Sequence, residues 1–190
     1  MEIAFIISSI LIILFALLAV YDGFYLHIFK YQLHNNPDSR FEHLTHTIRA
    51  IFFPVILYFL FIKQDCNISF FIGISIVLLD VIVLGIDAFS EADSRKFMGG
   101  LPRWEYILHL FVNGFHFALI AVFLVIKIKL VNNEFTLVQN FNGIENHLIF
   151  IFIVKNLIPG AIIIAIIHII TLFASTKIYW NKIRTKVTCC

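Results

Sequence analysis

Two stretches of the chain, residues 3–21 and 156–176, contain no Asp, Glu, Lys or Arg. Each is close to the ~20 residues an α-helix needs to cross a ~30 Å hydrocarbon core. Lipid offers a backbone no hydrogen bonds, so such a run must satisfy its own N–H and C=O groups as a helix. The remaining sequence is of the same kind. Hydrophobic residues make up 61% of the 190 and charged residues 14%, where soluble domains carry about 25% charged, and the mean hydropathy is +0.94. An all-α polytopic membrane protein is expected. The first run reads as a retained span, because only Glu2 precedes it and Tyr21-Asp22-Gly23 offers no small-residue cleavage site. Cys66, Cys189 and Cys190 are too few and too scattered for a disulfide framework or a thiolate metal site. The Cys189-Cys190 pair reads as an unmodified tail, with lipidation as the alternative. At a net charge of +2 no nucleic-acid partner is expected.

The expected fold is one transmembrane domain over 1–190 with five transmembrane helices. Helix 1 starts near Ile3 and runs past Asp22 toward His34. Residues 35–39 form a turn, with Asn36 as cap and Pro37 in the first turn of helix 2. Helix 2 reaches about Phe61 and is kinked at Pro54. Its uncharged run, 50–62, is too short to span alone, so the turns holding Glu42 and His46 sit at or inside the membrane boundary. Helix 3 covers about 69–92 and helix 4 about 103–130, followed by the longest loop, 131–145. Helix 5 covers about 146–178, interrupted at Pro159-Gly160, and ends in a basic tail.

Lysine and arginine set the orientation. Ten lie on one face, at the turns joining helices 1–2 and 3–4 and in the tail; only Lys63, Lys127 and Lys129 lie on the other. The N-terminus is therefore expected outside and the C-terminus in the cytoplasm, in a bacterial inner membrane.

A seven-residue segment occurs twice: Arg40-Phe41-Glu42-His43-Leu44-Thr45-His46 and Arg103-Trp104-Glu105-Tyr106-Ile107-Leu108-His109. Each copy opens a helix at its cytoplasmic end and presents Glu and His, at i and i+4, on one face. Asp22-Gly23-Phe24 precedes the first copy and Asp87-Ala88-Phe89 the second, while Asp38-Ser39-Arg40 recurs as Asp93-Ser94-Arg95. The larger pattern reads as a duplicated two-helix unit, about 1–63 and 67–130, that makes helices 1–4 a four-helix bundle with helix 5 (about 146–178) added. Both units point the same way, so an axis along the membrane normal relates them.

That topology puts Asp22, Glu42, His46, Asp87, Glu105 and His109 in one layer. Four uncompensated carboxylates at such depth are strongly disfavoured, and two divalent cations would cancel their charge. The arrangement resembles the ferritin-like di-metal carboxylate proteins, whose bundles take a carboxylate from each of two helices and a Glu–His pair from each of the others. The resemblance implies Asp22 and Asp87 as the single carboxylates and Glu42/His46 and Glu105/His109 as the pairs. It departs in spacing, Glu-x-x-x-His here rather than Glu-x-x-His, and in having Asp for Glu. The stretches Asp22 to His27 and Glu42 to Arg49 also resemble small bacterial membrane proteins carrying Asp-Gly-x-Tyr-Leu-His and Glu-His-x-x-His-Thr-x-Arg, a likeness that implies no activity. Oxygen and nitrogen donors without thiolate suit iron first, then manganese or zinc.

Other polar residues extend the site. His27 and His34 share a helical face at i, i+7, His43 adjoins Glu42, and Glu91 lies one turn inward of Asp87. Asp80 and His116 are placed to meet deeper in the bilayer, and Arg49 to pair with a carboxylate or a lipid phosphate. His168 and Lys155 read as packing or snorkelling residues. The function expected first is a di-metal enzyme acting on membrane lipid, a quinone or another hydrophobic small molecule, by oxidation with iron or hydrolysis with zinc. The alternatives are a metal-ion or proton transporter, a b-type haem protein using two of His27, His46, His109 and His116, and a non-catalytic assembly or sensor protein.

Overall fold

The computed structural model describes residues 1–188; Cys189 and Cys190, and the reading of that pair, lie outside the described residues. Five helices are long and apolar enough to cross a membrane: Glu2–Lys30, Pro37–Ile62, Asn67–Met98, Arg103–Lys127 and Glu145–Leu172. The expected five-span, all-α architecture is what the chain adopts.

Span 1 begins as α1 (Glu2–Ala19) and then widens into an eleven-residue π-helical segment, Val20–Lys30. The helix does not reach His34. The Tyr31 N–H bonds the Leu26 carbonyl at 2.8 Å, and Gln32 takes a left-handed backbone (φ 53°) that turns the chain away. Asn36 accepts the Asp38 N–H at 3.1 Å and caps a short turn, Pro37–Ser39, that leads into α2 (Arg40–Ile56). Pro54 has no N–H to donate, and past it the helix widens into a second π-helical segment, Leu57–Ile62. α3 is Asn67–Ser94 and α4 is Arg103–Lys127.

Two expectations about the second half are corrected. Residues 128–130 do not extend α4: Ile128–Val131 (β1) and Glu134–Leu137 (β2) pair antiparallel, Val131 opposite Glu134. The two residues between them, Asn132 and Asn133, both have positive φ (52° and 64°), the backbone a tight hairpin turn requires and Asn tolerates. Nor does Pro159 interrupt α5 (Glu145–Leu172), which runs through it; within a membrane bundle a helix can absorb a proline locally. The break comes at Phe173, and the basic tail forms its own helix, α6 (Ala174–Thr188).

The packing of the spans positions the site. α1 lies against α4 and α5, and α2 lies against α3 and α5, so the fifth span sits between the first two. The half of the bundle that holds the N-terminus is filled by a phenylalanine cluster: Phe61 meets Phe123 at 4.9 Å and Phe150 at 5.5 Å, both edge to face. At the rim of the same half Lys127 does not face solvent but is buried, its Nζ donating to the Gln64 carbonyl at 2.7 Å and the Val138 carbonyl at 2.5 Å. It ties the hairpin to the α2–α3 turn. This apolar half leaves the opposite half of the bundle to hold the polar residues.

Candidate metal centre

Of each seven-residue segment, the Glu and His turn inward and the Arg and aromatic turn outward. Glu42 and Glu105 are buried, while Phe41 and Trp104 are about half exposed. The aspartates come from neighbouring helices in crossed pairs. Asp22 on span 1 accepts from His109 Nε2 on α4 at 3.0 Å, and Asp87 on α3 lies 3.2 Å from His46 Nε2 on α2. His46 also lies 3.7 Å from Glu42 Oε1, and the Thr45 hydroxyl bonds the second Asp87 oxygen. Asp22 and His109 thus form one group, and Glu42, His46 and Asp87 another.

His27, read as a supporting residue, is at the centre of the layer. Its Nε2 lies 3.3 Å from Asp22 Oδ1 and 3.7 Å from Glu105 Oε1, and its ring is 4.2 Å from that of His46. On a regular α-helix, positions five apart point about 140° away from each other. The π-helical segment, with its i to i+5 hydrogen bonds, brings Asp22 and His27 onto one face. Glu91, the other supporting residue at this level, contacts His109 Nδ1 directly.

Arg95 is the residue sequence reasoning missed. Its place in the turn before α4 reads as one more exposed positive charge, yet its side chain is fully buried. Nη1 donates to Glu42 Oε2 at 2.6 Å; Nη2 and Nε donate to Glu105 Oε1 at 2.6 and 2.9 Å. Nη2 is also 3.0 Å from His27 Nε2. The sequence leaves the carboxylates uncompensated except by metal; in the fold a guanidinium bridges the two glutamates. The available signal was the match of Asp93-Ser94-Arg95 to Asp38-Ser39-Arg40, although Arg40 itself is exposed.

Even so, Glu42 Oε1 and Glu105 Oε2 are buried without a hydrogen-bond donor, as is His27 Nδ1. Three groups among the described residues place ligand atoms close enough to hold an ion: Asp22/His27/His109, His27/Glu42/His46 and Glu91/Glu105/His109. The donor set fits a divalent metal of the borderline or hard class.

Further out, Arg49 Nε donates to Asp80 Oδ1 at 3.2 Å and Nη2 donates to Asn113 Oδ1 at 2.9 Å, with Asp87 3.9 Å from Nη1. His116 Nε2 is 3.5 Å from the other Asp80 oxygen. Arg49 is therefore paired with carboxylates inside the bundle. His34 and His43 do not join this polar layer. The chain reversal at Gln32 carries His34 to Asn181 (3.5 Å), and its ring stands 5.7 Å from that of His43. His43 faces α5, 3.0 Å from the Thr171 hydroxyl and stacked on His168 at 5.5 Å. Searches against family models, curated proteins and solved structures find no match to this chain.

Proposed function

We propose that this chain is a membrane enzyme with a two-metal centre held by Asp22, Glu42, His46, Asp87, Glu105 and His109, joined by His27 and Glu91, and that it acts on a hydrophobic substrate taken from the bilayer. One observation carries the reading: a buried oxygen on each of Glu42 and Glu105 has no hydrogen-bond donor, whereas buried carboxylates are normally paired or bound to metal. The charge count agrees. Among the described residues, Asp22, Glu42, Asp80, Asp87, Glu91 and Glu105 face only two guanidiniums, those of Arg49 and Arg95. Four negative charges remain, and two divalent cations cancel four. The alternative, imidazolium on each of His27, His46, His109 and His116, would set one of them 3.0 Å from the Arg95 guanidinium.

The crossed pairs Asp22–His109 and Asp87–His46 support the duplication of spans 1–2 as spans 3–4, since a two-fold axis along the membrane normal exchanges them. The lysine and arginine distribution favours the N-terminus outside, with the centre on the cytoplasmic side; the membrane proposed is a bacterial inner membrane. Iron in this site would supply one-electron chemistry with oxygen, and zinc an activated water. The chain's own part is to position and to exclude: Arg95 holds both glutamates, Thr45 orients Asp87, and the phenylalanine cluster keeps water from entering through the outer half. That plug counts against a transport path. The edge-to-face contact of His27 and His46, crowded by carboxylates, counts against a porphyrin between them.

The test is metal analysis of protein purified in mild detergent, with circular dichroism to confirm folding. About two iron, manganese or zinc ions per chain are expected, as the ligand count of a di-metal bundle implies, and a Glu42→Gln/Glu105→Gln double variant should lose them while staying helical. Metal-free protein whose activity survives that substitution would refute the reading.

A further inference from the structure

Outward of the metal layer lies a cavity of about 220 Å³ with walls from all five spans. Asp22 and His46 of the centre line it on one side, and Arg49, Asp80 and His116 on another. Val20, Asn156 and Gly160 also line it and are exposed on the flank of the bundle, so it opens sideways between α1 and α5, toward lipid rather than toward either aqueous face.

The polar features of this cavity do not suit a plain hydrocarbon chain. Arg49, whose guanidinium bonds Asp80 and Asn113, keeps 16% of its side chain exposed, and Asp80 and Asp22 line the cavity with it. An acyl chain would cover these charged groups and offer them no polar partner, at the cost that attends desolvating a polar group. The walls also favour a flat ring. Phe15 stands 4.9 Å from Phe53, edge to face, and 4.7 Å from the His116 ring at 33°, geometries aromatic groups prefer. A cavity of about 150 Å³ is enough for benzene, so this one admits a substituted single ring.

We propose that the cavity binds the ring of a lipophilic quinone or quinol, a ring oxygen meeting the Arg49 guanidinium and its tail leaving between α1 and α5. The proposal deepens the reading above by naming the substrate class, but as a binding site it rests on the cavity and not on the metal.

The experiment is calorimetric titration of a decyl-substituted benzoquinone into the protein in phosphatidylcholine nanodiscs, with protein-free nanodiscs to subtract partitioning. Gly160→Leu projects into the cavity mouth, where an added Cβ meets nothing within 4 Å; Gly85→Leu on α3 has the same free space away from the cavity. Saturable binding is expected to weaken at least tenfold in Gly160→Leu and to hold in Gly85→Leu and in chelator-treated protein. If Gly160→Leu fails to fold, Ala16→Leu fills the cavity from α1 and is read in the same way. Binding no greater than partitioning, equal weakening by both leucines, or displacement of the quinone by palmitate at equal affinity would overturn the proposal. Quinone binding to a protein that never carries metal would sink the two-metal reading alone, and metal without quinone binding would sink this one alone.

Discussion

Replacing Arg95 with methionine removes the guanidinium while keeping a long apolar side chain. Wild-type Arg95 gives Glu42 one hydrogen bond of 2.6 Å and Glu105 two, of 2.6 and 2.9 Å, and none of the three side chains is exposed. The variant leaves Glu42 Oε2 and Glu105 Oε1 with no donor, beside the two oxygens that already lack one. Removing one partner of a buried pair costs about 3–5 kcal/mol. At roughly 2–4 °C per kcal/mol for a chain of this size, the metal-free variant should melt about 6–20 °C below wild type. The same carboxylates are those offered to the metal, so metal loading should stabilise the variant more than it stabilises wild type. Near-UV circular dichroism melts in detergent, with chelator and after reconstitution, measure both effects. Lys96→Met is the control, since its 2.8 Å bridge to Asp93 is 70% and 76% exposed and should scarcely matter. A chelated Arg95→Met protein that melts with wild type would refute the buried bridge. Equal stabilisation of both proteins by metal would refute the sharing of carboxylates between Arg95 and the ions.

Three further outcomes are expected. His27→Ala should weaken metal binding as severely as His109→Ala, by at least the roughly 10–100-fold that loss of a supporting contact costs, whereas His34→Ala should leave it unchanged; metal titrations of the three variants separate these. Lys127→Met frees the Gln64 and Val138 carbonyls and should cost about 1–3 kcal/mol, read as faster amide exchange in the hairpin; exchange at the wild-type rate would show that the lysine does not clamp it. Tyr31 stands just outside the first span, its phenol pushed up to about 12 by burial and, next, by the Glu105 charge. Above its ordinary value near 10 the unfolded chain ionises while the folded one keeps the proton, so Tyr31 makes stability fall as pH rises from about 10 to 12. The 295 nm difference titration of wild type against Tyr31→Phe should show that high midpoint, and a midpoint near 10 would place Tyr31 in water.

The scarcity of charge made much of the centre legible in the chain. In a sequence so apolar, Asp22, Asp87 and the two Glu–His pairs stood out, and their α-helical spacing on Glu42/His46 and Glu105/His109 was preserved in the fold. The hairpin at 128–137 had a local signal, Asn132-Asn133 between apolar residues, but a continuous helix pattern obscured it. From sequence His27 reads only as a supporting residue, because every inference from spacing assumes 3.6 residues per turn and the π-helical segment does not keep that period.

By itself, then, the sequence determined the spans and the polar layer, because hydrocarbon forces a backbone into helices and forbids scattered charge. Tertiary structure alone decided which partners meet. Arg40 and Arg95 each follow an Asp-Ser pair, yet one is exposed and the other fully buried, since a long flexible side chain goes where neighbouring helices offer it carboxylates. The wedging of α5 between α1 and α2, and with it the cavity beside the centre, likewise depends on contacts between distant segments that no local pattern records.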